Sequence, residues 1–331
     1  MKELSFAQHF TLIALNAQES TRLTNSKKVS LRCMAAAVIL ELYLDNGFSQ
    51  VGDVLTCERG ILENPSISLY QKAVLNIFFS KNETISGTLP QYLTRVVKMS
   101  KKQLKIVEDA FVANLKEENA LEEIHALLSS DLEFVTAGIE MKEYRSNSES
   151  FTRVTESIRA EILEEGPVTD EAILMLWLLR ESGSIYDLFS KEELKHVAER
   201  IYKLYNDSSL GKTVFPISIH NTVEYAVKNF LKMKKEIMTT PSGSGVAFVF
   251  PIIERSQSIF IDTEAYFANK EDRLNDVKDR LERNGHHIKV IREGDIPLIK
   301  IDNMLYEAVP HAKVYKFPVH GVRLLKYPLS L

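Results

Sequence analysis

Apolar residues in this chain gather into a few dense blocks separated by amphipathic stretches. From Cys33 to Leu44 the chain reads CMAAAVILELYL, apolar at every position except Glu41. Such a run, flanked by Ser30 and by Asn46-Gly47, predicts a helix buried on all sides and capped where the chain can turn. It is too short to cross a bilayer, which takes about 20 apolar residues, so it marks the centre of a helical domain. Just before it, Ser5-Phe6-Ala7-Gln8 fits a capping box, with Phe6, Phe10, Leu12 and Ile13 on a core face and Gln8 and Gln18 towards water. A second dense block, Val168 to Phe189, has Thr169 as cap, Asp170 and Glu171 in its first turn and Ser182-Gly183 as stop.

Between these blocks the period is mostly helical. Residues 49 to 62 suggest a small hairpin, followed by helices at Ile67 to Phe79 and Leu89 to Val112. Residues 118 to 137 and 151 to 165 read as a continuing helical shell, and Ser190 to Tyr205 as a capped last helix ending at Asp207-Ser208-Ser209. Asn221 to Ile237 has helical period, and Thr239 to Gly245 is the clearest linker. Beyond it the period turns extended. Strands are expected at 246–253, 258–263, HIKVIR, IPLIKI and MLYEAV, with a charged helix from Lys270 to Asn284 and a turn at Asp302-Asn303. The fold class is therefore mainly α: a helical domain over 1–210, a connecting helix and linker over 211–242, and a smaller α+β domain over 243–331.

The order LSFAQHFTLIAL, LRCMAAAVILELYLDNGF, a short polar strand pair and AILMLWLLRESGSIYDLF resembles the Golgi phosphoprotein 3 family, which has bacterial members. The resemblance covers residues 3 to about 205 and rests on helix type and apolar texture. It implies a mostly helical, cytoplasmic, peripheral membrane protein without a catalytic centre. Eukaryotic members bind phosphatidylinositol 4-phosphate, and some self-associate, so a protein partner or a homo-oligomer is within the family's range. In the family a tryptophan and several arginines hold the headgroup. At the position six residues before the glutamate of the buried helix this chain carries Ala35, with Arg32 one turn earlier. The later arginine pair falls on Lys105 and Glu108, and no tryptophan precedes Trp177. Guanidinium forks are what grip phosphate in two places at once, so these replacements weaken a stereospecific pocket.

Charge narrows the partners. Forty-one Lys plus Arg against 45 Asp plus Glu gives a net of −4, which argues against a broadly basic nucleic-acid binder but permits local patches. Only two cysteines, Cys33 and Cys57, fit reduced thiols better than a disulfide framework. One patch stands out. No acid occurs from Ser86 to Val107, while Arg95, Lys98, Lys101, Lys102 and Lys105 recur at spacings of three and four and can share one helix edge. Together with Arg32 they are the candidate seat for anionic lipid headgroups. A second acid-free stretch, Ala308 to Leu331, interleaves cations with Tyr315, Phe317 and Tyr327, and reads first as a terminal hairpin rather than a single-strand binder.

Enzymatic motifs are incomplete. Glu122-x-x-His125 and Glu193-x-x-His196 have di-iron spacing, yet each glutamate follows a capping residue by three. Gly211-Lys212-Thr213 lacks the glycine and the following helix of a phosphate loop. His287-Ile288-Lys289 with Asp295, or Asp302 in another register, does not complete a phospholipase D-like centre. Asp262, Glu264 and Lys300 miss a nuclease carboxylate at Leu298. No cofactor is indicated. The reading is a non-enzymatic peripheral membrane adaptor. The alternative is a regulatory or enzymatic effector whose C-terminal part acts on a nucleic acid or phosphodiester.

Overall fold

A computed structural model describes residues 3–220, 258–263, 269–314 and 318–327. Within the first stretch lie helices α1 (Phe6–Leu15), α2 (Asn25–Leu44), α3 (Leu69–Phe79), α4 (Leu89–Arg95), α5 (Lys101–Glu117), α6 (Leu132–Thr136), α7 (Ser148–Leu163), α8 (Asp170–Ser182), α9 (Ile185–Leu188), α10 (Lys191–Asp207) and α11 (Ser209–Val214). Strands β1 (Ser49–Val51), β2 (Val54–Glu58) and β3 (Thr84–Gly87) form one small antiparallel sheet, and β4 (Leu121–His125) pairs with β5 (Lys142–Ser146). The C-terminal part has β6 (Ile259–Asp262), α12 (Lys270–Arg283), β7 (Ile288–Arg292), β8 (Leu298–Ile301), β9 (Met304–Val314) and β10 (Pro318–Lys326) in a five-stranded antiparallel sheet ordered β6-β10-β9-β8-β7. A mainly helical body followed by an α+β part is thus the observed architecture.

Helix α2 is the hub: α1, α5 and α8 pack around it, and every residue from Val29 to Leu42 is buried. The chain can end it at Asn46, which takes a left-handed φ of +54°, while the Gly47 N–H returns to Leu42 O at 2.7 Å. Its start differs from the expectation. Thr24, not Ser30, caps it, and Ser30 is a buried mid-helix residue, because two polar-looking turns before Cys33 are also covered. Glu41 is accommodated in this apolar run because three donors converge on it. Ala7 N–H at the start of α1 lies 2.7 Å away, Tyr70 OH 2.8 Å, and Gln71 Nε2 also donates.

The capping boxes at Ser5 and Ser190 form as read, and Gly183 ends α8 at φ +76°. Gln8, however, is buried and donates to Asn114 at 2.6 Å, and Gln18 is buried too. Two shell assignments are corrected. Residues 118–137 are not one helix: Asn119 adopts φ +54°, β4 follows, α-helix returns only at Leu132–Thr136, and the β4 partner β5 was not foreseen. Leu89–Val112 is not continuous, since the chain breaks at Met99 and restarts at a new capping box on Ser100. Cross-strand partners and a local cap overrode helical period in both places.

Residues beyond 210 stay with the helical body as far as His220: Phe215, Ile217 and Ile219 are buried in its core, and Trp177 Nε1 donates to Ile217 O at 3.1 Å. The expected helix at Asn221–Ile237, the linker at Thr239–Gly245, the strand at 246–253, Glu264, Tyr315 and Phe317 lie outside the described residues. A second apolar cluster holds Ile259, Ile261, Val277, Leu281, Ile299 and Leu324, and it takes in Leu127 from the helical body. The C-terminal sheet therefore completes its core on the β4–β5 side of the first part. Gly321 is required there, because an added Cβ would fall 2.1 Å from Ile261 O.

Candidate functional site

Two places gather chemistry. The first is the corner where α4 meets α5. Arg95, Lys98, Lys101, Lys102 and Lys105 are all exposed, but the chain break puts them on three elements rather than one helix edge. Arg95 donates to Ser86 O at 2.9 Å and lies over the Tyr92 ring, which fixes its guanidinium beside β3. With Lys98, Ile77, Phe78, Met99 and Gln103 it lines a depression of about 160 Å³. Lys105 is drawn into ion pairs with Glu108 and Asp109 at 3.4 and 3.0 Å. Among the described residues, no salt bridge engages the other four cations. Arg32 is buried in the middle of α2 and does not line this depression, so the structure does not unite it with the exposed cations. Behind Lys105, Lys27 and Glu108 form a buried pair at 2.6 Å, and Tyr144 OH donates to Glu108 at 2.8 Å.

Beside this corner stands the β1–β2 hairpin. Its turn, Gly52-Asp53, leaves Val51 82% and Val54 43% exposed. Thr56 pairs with Ser86, whose carbonyl accepts from Arg95, so Arg95 is anchored on the same small sheet that carries the hairpin.

The second place is the junction between body and C-terminal sheet. A cleft of about 510 Å³ runs between the 17–24 loop with the start of α2 and the sheet, with Glu19, Arg22, Glu143, Tyr306 and Lys326 in its lining. Along β5, Tyr144 points into the body while Glu143 and Arg145, on the other face, meet the sheet. Arg145 donates to Gly285 O at 2.7 Å and to Asp302 at 2.9 Å, and also pairs with Glu122. His286 Nδ1 lies 2.8 Å from Asp302 Oδ2, and the His287 N–H donates to Asp302 Oδ1 at 3.0 Å. Asp302 can accept all of these because its left-handed φ of +51° turns the carboxylate back across the β8–β9 turn.

Electrostatics separate the two acids. Burial pushes the Glu143 carboxyl up to about 7, with His286 and the Leu127 N–H opposing the rise. Burial also acts to raise Asp302, but the hydrogen bonds from His286, His287 and Arg145 outweigh it and hold that carboxyl below its usual range. At neutral pH one acid is ionised and the other divided between its two forms.

Most of the motif residues stay apart. Glu122 and His125 lie on strand β4, where a separation of three puts them on opposite faces. Glu193 pairs with Arg159 at 2.7 Å, and His196 is exposed. Gly211-Lys212-Thr213 lies within α11, and Lys289 is exposed on edge strand β7. Asp262 pairs with Arg280 at 3.0 Å. Glu143 and His286 were not singled out in the sequence. Glu143 lies between the two stretches of helical period and gives no signal of its own, whereas His286 follows the helix-ending Asn284-Gly285, a place where a side chain can turn back. No protein-family model and no curated protein matches this chain. Among the described residues, no helix is long and apolar enough to cross a membrane.

Proposed function

We propose that this protein is a non-enzymatic peripheral adaptor that docks on anionic phospholipid through the α4–α5 corner. The carrying observation is that Arg95, Lys98, Lys101 and Lys102 are exposed and, among the described residues, without acidic partners, while Arg95 is anchored on the small sheet whose hairpin exposes Val51 and Val54. The resemblance of residues 3 to about 205 to the Golgi phosphoprotein 3 family supports a membrane partner. Magnitudes explain why both features are needed. Four cations at about 1 kcal/mol each give roughly millimolar affinity. Burying the Val51 side chain adds about 1.5–3 kcal/mol, which brings reversible binding into the micromolar range. With Arg32 buried and Ala35 in the family's arginine position, binding depends on surface charge more than on one headgroup.

Flotation with vesicles tests this. Binding should rise with the mole fraction of phosphatidylserine and fall as salt shortens the Debye length. It should collapse in Lys98→Glu/Lys101→Glu/Lys102→Glu and weaken in Val51→Asp. Tight binding to phosphatidylinositol 4-phosphate alone, indifferent to those reversals and lost in Arg32→Ala, would replace the surface reading with a pocket. Absence of binding to any anionic vesicle would refute the adaptor reading.

A further inference from the structure

Glu143, His286 and Asp302 come from β5, from the turn after α12 and from the β8–β9 turn, and they meet only because the C-terminal sheet docks on the body. One donor atom from each lies within 4.8 Å of the other two. Asp302 engages Nδ1 of the imidazole, while Nε2 is fully buried and has no hydrogen-bond partner. Nδ1 is thus the ring nitrogen on the side of Asp302, and an ion seated among the three donors would take it from that hydrogen bond. Glu143 also lines the large cleft, so the cluster has a path to solvent.

We propose that Glu143, His286 and Asp302 bind one divalent transition-metal ion of the zinc class, which ties the C-terminal sheet to the helical body. An imidazole with two carboxylates is a donor set suited to zinc, and the borderline nitrogen disfavours magnesium and calcium. Donors about 2.1 Å from a common ion stand about 3–4.2 Å apart, so the His286–Asp302 pair at 2.8 Å would open slightly, and no pair, all lying within 4.8 Å, need close by more than about 0.6 Å. The neighbouring cations are shared rather than dedicated to the cluster. Arg145 is shared with Glu122, and Lys326, near Glu143, pairs with Asp187 at 2.8 Å. Water from the cleft supplies the remaining coordination.

The test uses full-length, tag-free protein stripped with chelator. Isothermal titration with zinc should show one equivalent bound, with no heat from magnesium at tenfold higher concentration. Zinc should raise the melting temperature, and cobalt should give a visible absorption band on binding the same site. Glu143→Gln keeps the side-chain shape and an acceptor oxygen for the Leu127 N–H, so its fold should survive. It and Asp302→Asn should each weaken zinc at least tenfold, with His286→Gln as a third probe. One-equivalent binding lost in Glu143→Gln, with an unchanged metal-free circular dichroism spectrum, supports the site. No saturable binding, or binding of several equivalents unaffected by Glu143→Gln and Asp302→Asn, overturns it and leaves the cluster a polar junction.

Discussion

Replacing Glu41 with leucine should destabilise the helical body by about 3–4 kcal/mol. The carboxylate accepts from Ala7 N–H, Tyr70 OH and Gln71 Nε2, and its side chain is buried in the centre of the bundle. Leucine removes the acceptor and leaves the donors behind. Ala7 N–H suffers most, since it belongs to the first turn of α1 and has no intrahelical partner, a loss of about 2 kcal/mol. Tyr70 keeps a second contact to Ser5 Oγ at 2.8 Å, and Gln71 keeps its role capping Ser68, so each adds about 1 kcal/mol. Unfolding entropy of about 2.1 cal/mol/K per residue over 331 residues converts this into a fall of about 4–6 °C in melting temperature. Glu41→Gln retains one acceptor oxygen and should lose about half as much. Differential scanning calorimetry of both variants decides the matter. If Glu41→Leu melts within a degree of the parent, the donors are satisfied elsewhere, and the idea that Glu41 joins α1, α2 and α3 is wrong.

Ala35→Asp places an unpaired carboxylate where the side chain has no exposure, and a loss above about 4 kcal/mol is expected; an unchanged melting curve would show that α2 opens to solvent. Asn303→Leu should cost about 2–3 kcal/mol, because Asn303 Nδ2 donates to Ser146 O and Asn16 Oδ1 across the junction, and urea melts would reveal a smaller effect as slack docking. Burial acts to raise Glu193, but the Arg159 hydrogen bonds outweigh it and lower its carboxyl. In the window between its folded value and an unfolded value of about 4.3, the native state binds fewer protons, so stability is full above that window and declines as pH falls through it. Arg159→Met should flatten the acid limb of a stability–pH curve, and parallel limbs for both proteins would count against the pair.

The resemblance and the helical body rested on strong local signals. Dense apolar blocks with caps at Ser5, Thr169 and Ser190 and stops at Asn46-Gly47 and Ser182-Gly183 specify helices with little help from their surroundings. The strand periods of 258–263 and of the segments after Gly285, and the Asp302-Asn303 turn, were legible for the same reason. What the sequence could not carry was pairing. Leu121–His125 resembles shell, and Lys142–Ser146 resembles no element, until they find one another, since a strand is stabilised by its cross-strand neighbours rather than by its own composition. The break at Met99-Ser100 was likewise hidden, because the capping box that restarts the chain uses Gln103, which an amphipathic helix also tolerates.

Exposure divides the candidate site residues in a similar way. Charge spacing alone picked out Arg95, Lys98, Lys101 and Lys102, which do reach solvent, but it could not tell that Lys105 turns to Glu108 and Asp109 or that Arg32 is buried. The burial of Arg32 depends on which helices pack against α2, whereas the Lys105 pairs are local, three and four residues apart on one helix. The junction cluster is wholly tertiary. Glu143 lies more than 140 positions before His286 in the chain, and only docking of the sheet onto β5 brings them together. Local propensity can fix a helix within a dozen residues, whereas a site assembled from distant segments exists only after the chain has closed those loops.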